Sequence, residues 1–196
     1  EISILNSKPK LEIGKSVKHH LYGIYSVRKK FSTGKWLQLV TKEIKQQWKK
    51  NKTPIVVGGT GLYFKALVDG LAKIPKISSS VSKKSKKLQR EIGQIKFFNK
   101  LIKLDPLSKK FILPNDIQRS IRAYEVKKFT NKSLFQFTKN TKSNFKNEVF
   151  VKIFINTPKE LLHKKIEKRV EKMFNSGAID EVKKFKKIRI NKDLSS

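Results

Sequence analysis

The sequence contains no cysteine, which excludes disulfides, thiolate metal sites and a cysteine nucleophile. Acidic residues are scarce, because 15 Asp and Glu stand against 47 Lys and Arg, for a formal net charge of +32. No apolar run approaches the roughly 20 residues that a transmembrane helix needs, and no signal peptide is recognisable. We therefore expect a cytoplasmic protein that does not bind a membrane.

The surplus of positive charge favours a polyanionic partner. A charge this high destabilises a compact chain through self-repulsion, so nucleic acid is the expected partner, ahead of a membrane surface. However, only six of the 47 basic residues are arginine, and abundant Lys, Ile, Asn and Phe are also what an AT-rich genome produces. Charge alone leaves both explanations open.

The first third of the chain predicts a helix, a strand, a glycine turn and a second helix. Apolar residues recur at three- and four-residue steps from 31 to 50, which predicts an amphipathic helix. Residues 54–57 form a short β-branched run, as expected of a buried parallel strand. A helix is predicted to begin near Leu62. Strand, glycine turn and helix in this order indicate an α/β unit.

The composition and the predicted secondary structure change between residue 74 and about residue 142. Pro75 and three serines at 78–80 mark a linker, with Ser80 or Ser82 as the predicted helix cap. Basic helices are predicted at 81–92, 94–104 and 115–129, and a strand pattern returns at 148–156, followed by two further helices. We interpret residues 1–73 and 143–196 as two parts of one α/β core and residues 74–142 as a helical insertion.

The glycine turn at 58–61 is the most informative local feature. Glycines after a buried strand let the backbone approach a ligand closely, and the N-terminus of the next helix favours an anion. Thr60 is expected to present its hydroxyl at the carboxyl end of a strand, where α/β proteins place ligands. A tight turn without a ligand is the alternative.

A second group of candidate residues lies on the predicted helix at 115–129. Gln118 and Arg122 lie four residues apart on one face, which Arg119 borders. Two arginines three positions apart in a lysine-rich chain favour bidentate contacts with phosphates or base edges, a geometry that lysine lacks. A surface face carrying salt bridges is the alternative. For Arg169 there are likewise two interpretations, a guanidinium that contacts a pyrophosphate or a surface arginine with an acidic partner. Adjacent His19 and His20 favour a packing role.

Taken together, these features resemble the tRNA dimethylallyltransferases, also called isopentenyltransferases. Two segments are similar to that family's main signatures, and weaker similarities follow in the family's order across essentially the whole chain. The first segment is Val57-Gly58-Gly59-Thr60-Gly61-Leu62-Tyr63-Phe64-Lys65-Ala66-Leu67 with Gly70-Leu71, and the second is Asn115-Asp116-Ile117-Gln118-Arg119 with Arg122-Ala123-Tyr124-Glu125-Val126. The resemblance implies an incomplete α/β core, a parallel sheet like that of P-loop kinases, with a helical insertion that binds tRNA.

The resemblance also implies an activity, in which a dimethylallyl group passes from its diphosphate to N6 of the adenosine next to the anticodon. It implies Mg²⁺ as cofactor, the tRNA anticodon stem-loop and dimethylallyl diphosphate as partners, and a monomer. Thr60 is similar to the family's threonine at the reaction channel, and Arg169 to an arginine at the prenyl diphosphate. The segment expected to contact tRNA is Gln118, Arg119, Ser120, Ile121 and Arg122.

The sequence departs from the family's pattern in three respects. The phosphate-binding loop and the aspartate thought to act as general base are missing, as are the C-terminal helices. Ser82 stands where the family usually carries a basic residue, and whether Lys83 or Lys84 compensates stays open. We therefore expect an incomplete enzyme of marginal stability that does not transfer prenyl groups alone. A non-catalytic tRNA- or RNA-binding protein is the alternative, ahead of a small-molecule P-loop kinase.

Overall fold

The computed structural model describes residues 2–6, 17–139, 141–145 and 150–188. The chain divides into two compact units, one formed by residues 1–63 and 148–196 and the other by residues 64–147. The second unit is longer at both ends than the predicted insertion at 74–142. The helices are, in chain order, α1 (Thr33–Trp48), α2 (Gly61–Val68), α3 (Ser79–Ile92), α4 (Gln94–Leu104), a 3₁₀ helix (Pro106–Lys110), α5 (Ile117–Thr130), α6 (Leu134–Thr138), α7 (Lys159–Asn175) and α8 (Ala178–Lys186).

The predicted α/β fold with a parallel, P-loop-kinase-like sheet is wrong, because the described residues form helices and no β-strand. Ile55, in the predicted strand at 54–57, is 83% exposed, and Val151, in the predicted strand at 148–156, is 90% exposed. Residues 148 and 149 are not among those that the structure describes. The apolar pattern of each run indicates side chains that favour burial, but it does not identify a pairing partner. A strand requires a neighbouring strand for its backbone hydrogen bonds, and neither run pairs with another segment among the described residues.

The first unit contains α1, whose predicted position is confirmed. Ser32 caps this helix, since its hydroxyl accepts a hydrogen bond from the backbone N–H of Lys35 at 3.2 Å. Val40 and Ile44, four residues apart, are the buried residues of its apolar face. In the same unit α7 packs against α8, although no side chain described on α7 is buried.

The second unit has a helical core formed by α3, α4 and α5, which confirms the predicted helices of this stretch. Phe97, Leu101 and Ala123 are fully buried at its centre. The cap of α3 is Ser78, whose hydroxyl accepts from the backbone N–H of Val81 at 3.3 Å, so the expectation of Ser80 or Ser82 was wrong. This cap satisfies a backbone N–H in the first turn of α3.

A buried carboxylate connects three elements of the second unit. Asp105, at the end of α4, accepts hydrogen bonds of 2.8 Å from the hydroxyls of both Ser108 and Ser133. Ser133 also begins α6 with a capping box, in which its backbone N–H donates to Gln136 at 2.9 Å. Because a buried charge is costly unless it is hydrogen-bonded, this cluster fixes the end of α4, the 3₁₀ helix and α6 together.

Candidate functional site

Thr60 is exposed and stands directly before the first residue of α2. Its carbonyl oxygen accepts a hydrogen bond from the backbone N–H of Tyr63 at 3.0 Å. The Tyr63 ring stacks on Trp36 of α1, with centroids 4.6 Å apart and planes 15° apart. This stack fixes the start of α2 and thereby the position of Thr60 relative to α1.

The glycines beside Thr60 are not required by the packing of the chain itself. A Cβ added at Gly59 or Gly61 meets no atom of the described residues within 4 Å, and neither residue has a positive φ. The backbone around Thr60 is therefore open to solvent and accessible to a ligand. This geometry fits the predicted ligand turn, and it also fits a turn without a ligand.

The segment at 118–122 has two faces on α5. Gln118, Arg119 and Arg122 are exposed. Ser120 is fully buried and accepts a hydrogen bond from Gln94 at 3.2 Å, while Ile121 packs against the helical core. Gln118, Arg119 and Arg122 therefore form an exposed edge of α5 that presents side chains to a partner. Ser120 and Ile121 hold the helix that carries them.

Each arginine on this edge lies near an acidic side chain. Arg119 Nε lies 3.5 Å from Asp116, the N-cap of α5, and Arg122 Nη1 lies 3.6 Å from Glu125. Each guanidinium carries five N–H donors, so these pairs orient the arginines without consuming their hydrogen-bonding capacity. The ion pairs of the alternative interpretation are therefore present, and the exposed edge still offers donors to an anion.

Arg169 is exposed on α7 and belongs to the same unit as Thr60, which directly precedes α2. The α5 edge belongs to the other unit. Ser82, on α3 of that other unit, is half-buried, whereas Lys83 and Lys84 beside it are exposed. The first unit thus contains Thr60 and Arg169, and the second unit contains the edge of α5.

Sequence reasoning missed two carboxylate contacts. His20 Nδ1 lies 2.8 Å from Glu43 on α1, which also accepts from Gln47 at 2.6 Å. Ser82 donates to Glu125 across 43 positions of sequence, at 2.7 Å. Each pair joins residues that are distant in the sequence, so neither pair had a local signal.

Within the described ranges, no three His, Asp or Glu side chains come close enough to hold a metal ion. Among the helices bounded above, none combines the length and apolar composition needed to cross a membrane. The candidate chemistry of these residues is therefore that of guanidinium groups, one exposed hydroxyl and an accessible backbone.

A family model described as IPP transferase matches residues 1–196. The tRNA dimethylallyltransferase of Pelagibacter ubique (strain HTCC1062) is 49% identical over 195 residues, which cover 100% of this chain and 62% of that relative. The enzyme of the same name from Rickettsia felis is 41% identical over 197 residues, covering 100% of this chain and 64% of that relative. This chain therefore spans less than two thirds of the length of these relatives.

Two solved structures are similar to the chain. The full-length tRNA isopentenylpyrophosphate transferase from Bacillus halodurans aligns with a TM-score of 0.58 at 28% identity, over 100% of this chain and 61% of that one. A eukaryotic dimethylallyltransferase acting on tRNA aligns with a TM-score of 0.72 at 23% identity, over 94% of this chain and 46% of that one. Because the sequence identity to the second structure is lower, that similarity indicates a shared fold and nothing about function.

Proposed function

Since this chain belongs to the IPP transferase family, we propose that it supplies the tRNA-binding part of a cytoplasmic, monomeric tRNA dimethylallyltransferase. The proposed reaction moves a dimethylallyl group from dimethylallyl diphosphate to N6 of the adenosine next to the anticodon. The observation that carries the proposal is the exposed edge of α5, where Gln118, Arg119 and Arg122 offer forked donors on one rigid helix.

The edge of α5 suits RNA because of its geometry rather than its charge alone. Arginine and glutamine side chains make paired hydrogen bonds to phosphates and base edges. The helix is anchored by buried Ala123, Tyr124 and Val126, so the donors are held by the core. The net charge of +32 adds attraction that does not depend on RNA sequence.

The proposed chemistry assigns separate tasks to the other candidate residues. The adenine amine is a poor nucleophile, so the base must leave its stack, lose a proton and meet a diphosphate whose developing charge is neutralised. We assign Thr60, exposed beside open backbone, to the approach of the target base. We assign Arg169 on α7 to the diphosphate.

The family resemblance also suggests Mg²⁺, but the residues described in this chain do not provide a cluster of acidic or histidine ligands for it. We assign no step of the reaction to a metal ion. The proposal for the 196-residue chain is RNA binding through the edge of α5, which lies within it.

The binding part of the proposal is tested with a fluorescent anticodon stem-loop RNA that carries the target adenosine. We expect replacement of Arg119 and Arg122 by Ala to weaken binding by about 1–3 kcal/mol for each arginine, because paired contacts are lost. Fluorescence anisotropy at several salt concentrations measures the affinity and its salt dependence.

The matched control removes two positive charges from exposed positions of α8, by the substitutions Lys183→Ala and Lys186→Ala. We expect this variant to bind the stem-loop nearly as tightly as the unchanged chain. Equal losses in the two double variants would show that charge alone attracts the RNA. Equal affinity for the stem-loop and a scrambled RNA would favour the non-catalytic alternative of general RNA binding.

A further inference from the structure

A buried carboxylate joins α3 to the exposed edge of α5. Glu125 is buried, and its Oε1 accepts a hydrogen bond from the Ser82 hydroxyl at 2.7 Å. Its Oε2 lies 3.6 Å from Nη1 of Arg122, whose side chain is 45% exposed. We propose that Ser82 and Glu125 are positioning residues, which hold the Arg122 guanidinium ready for a phosphate or base edge. This inference rests on the proposed RNA-binding function.

The core of the second unit fixes the position of this carboxylate. Glu125 stands between Tyr124 and Val126, which are both buried on α5. A buried carboxylate needs hydrogen-bond donors to offset its lost hydration, and Ser82 supplies one from the neighbouring helix. With one oxygen bound to Ser82, the other is directed towards Arg122. A guanidinium held in this way loses less freedom when it binds a ligand.

A neutral donor at position 82 has a specific consequence. The Ser82 hydroxyl satisfies Glu125 without cancelling its negative charge. A lysine or arginine at this position would instead compete with Arg122 for the same carboxylate. The serine therefore leaves the charge of Glu125 available to hold Arg122.

Arg119 provides an internal comparison on the same helix. Its partner Asp116 is partly exposed and already caps α5, accepting from the backbone N–H of Arg119 at 3.0 Å. The Arg119 side chain is 73% exposed, and its acidic partner is the N-cap of its own helix. Loss of the Ser82 hydroxyl should therefore affect Arg122 and leave Arg119 unchanged.

The proposal is tested by a double-mutant cycle on the 196-residue chain with the anticodon stem-loop RNA as probe. We expect Arg122→Ala to weaken binding about 10-fold and Ser82→Ala about threefold. In the Arg122→Ala background, Ser82→Ala should have no further effect, because its effect passes through that arginine. Combined with Arg119→Ala, it should retain its threefold effect. Ser82→Thr, which keeps the hydroxyl, should restore binding.

Two outcomes overturn the inference in distinguishable ways. If the unchanged chain binds the stem-loop no better than a scrambled RNA, the proposed function fails and the inference fails with it. If the chain binds specifically but the effects of Ser82→Ala and Arg122→Ala multiply, only the inference fails, because Ser82 then supports the fold in general. Thermal unfolding followed by circular dichroism identifies a variant that is merely unfolded.

An independent measurement needs no RNA. In ¹⁵N NMR spectra, the side-chain Nε–H of Arg122 should become more mobile in Ser82→Ala, with a lower heteronuclear NOE than in the unchanged chain. The Arg119 signal serves as the control and should not change. An unchanged Arg122 signal would overturn the positioning role, whatever the RNA measurements show.

Discussion

Gly70, two residues after the end of α2, has both a backbone conformation and a position that favour glycine. Its φ is +89°, and a Cβ there would overlap the carbonyl oxygen of Lys142. The neighbouring Ser143 hydroxyl donates to the Leu67 carbonyl oxygen at 2.8 Å. Residues 142 and 143 can therefore approach the end of α2 because Gly70 lacks a side chain.

We expect Gly70→Ala to reduce the free energy of unfolding by more than the about 1–2 kcal/mol that a left-handed conformation costs a non-glycine residue. Gly177→Ala should show that cost alone, since Gly177 has a left-handed backbone with φ of 89° and ψ of 30°, and a Cβ there meets no atom of the described residues within 4 Å. Gly59→Ala, without either constraint, should cost little. Urea denaturation followed by circular dichroism measures all three variants, and equal losses at positions 70 and 177 would contradict the predicted overlap.

At the residue scale, the sequence predicted side chains whose chemistry is local and missed those that depend on distant partners. Two arginines three positions apart indicated an exposed edge, and α5 does present both. The contact of Ser82 with Glu125 joins two helices, and no periodicity within either helix specifies it. Ser120 has an ordinary polar side chain, so its complete burial followed only from the packing of α5.

At the scale of elements, helices were predictable and strands were not. The helices α1, α3, α4 and α5 lie close to their predicted positions, because periodicity and capping residues are encoded within each segment. The apolar runs at 54–57 and 150–156 lack strand structure, because pairing depends on residues elsewhere. Helix hydrogen bonds close within about four residues, whereas those of a sheet join separate segments.

Glu181, in the first turn of α8, binds the backbone of residues 3–5. Its carboxylate accepts hydrogen bonds from the N–H groups of Ser3 at 2.6 Å, Ile4 at 2.9 Å and Leu5 at 3.1 Å. The bond from Ile4, followed by those from Ser3 and Leu5, lowers the pKa of Glu181 from 4.5 to about 2. One side chain therefore attaches an irregular segment to a helix.

The attachment should depend on pH, and the direction follows from the lowered pKa. A carboxyl group that is more acidic when bound contributes fully above pH 4.5, and its contribution is lost as the pH falls towards about 2. NMR shifts of the backbone amides of residues 3–5 should follow this titration. Glu181→Gln should abolish it, and a midpoint at 4.5 in the unchanged chain would show that the bonds are not maintained in solution.

At the scale of the whole chain, burial is distributed unequally between the two units. The core cluster of the second unit contains Phe97, Leu101 and Ala123 at full burial. In the first unit, Ile55, Val151 and several neighbouring apolar side chains are exposed. Apolar surface that stays exposed contributes none of the hydrophobic stabilisation of about 25 cal/mol per Å² that its burial would give. The prediction of marginal stability therefore applies chiefly to the first unit.

Hydrogen exchange should make this inequality measurable. We expect the amides of α4 and α5 to exchange slowest, because both helices are buried against the core. Those of α7, which has no buried residue, should exchange faster than those of α1, α4 and α5, since opening this helix exposes little new apolar surface. Helix α1, with two buried residues, should be intermediate. Protection of α7 equal to that of α4, maintained upon dilution, would mean that its apolar side chains are covered within a single chain and that stability is shared between the units. Protection lost upon dilution would instead assign that cover to a second copy of the chain.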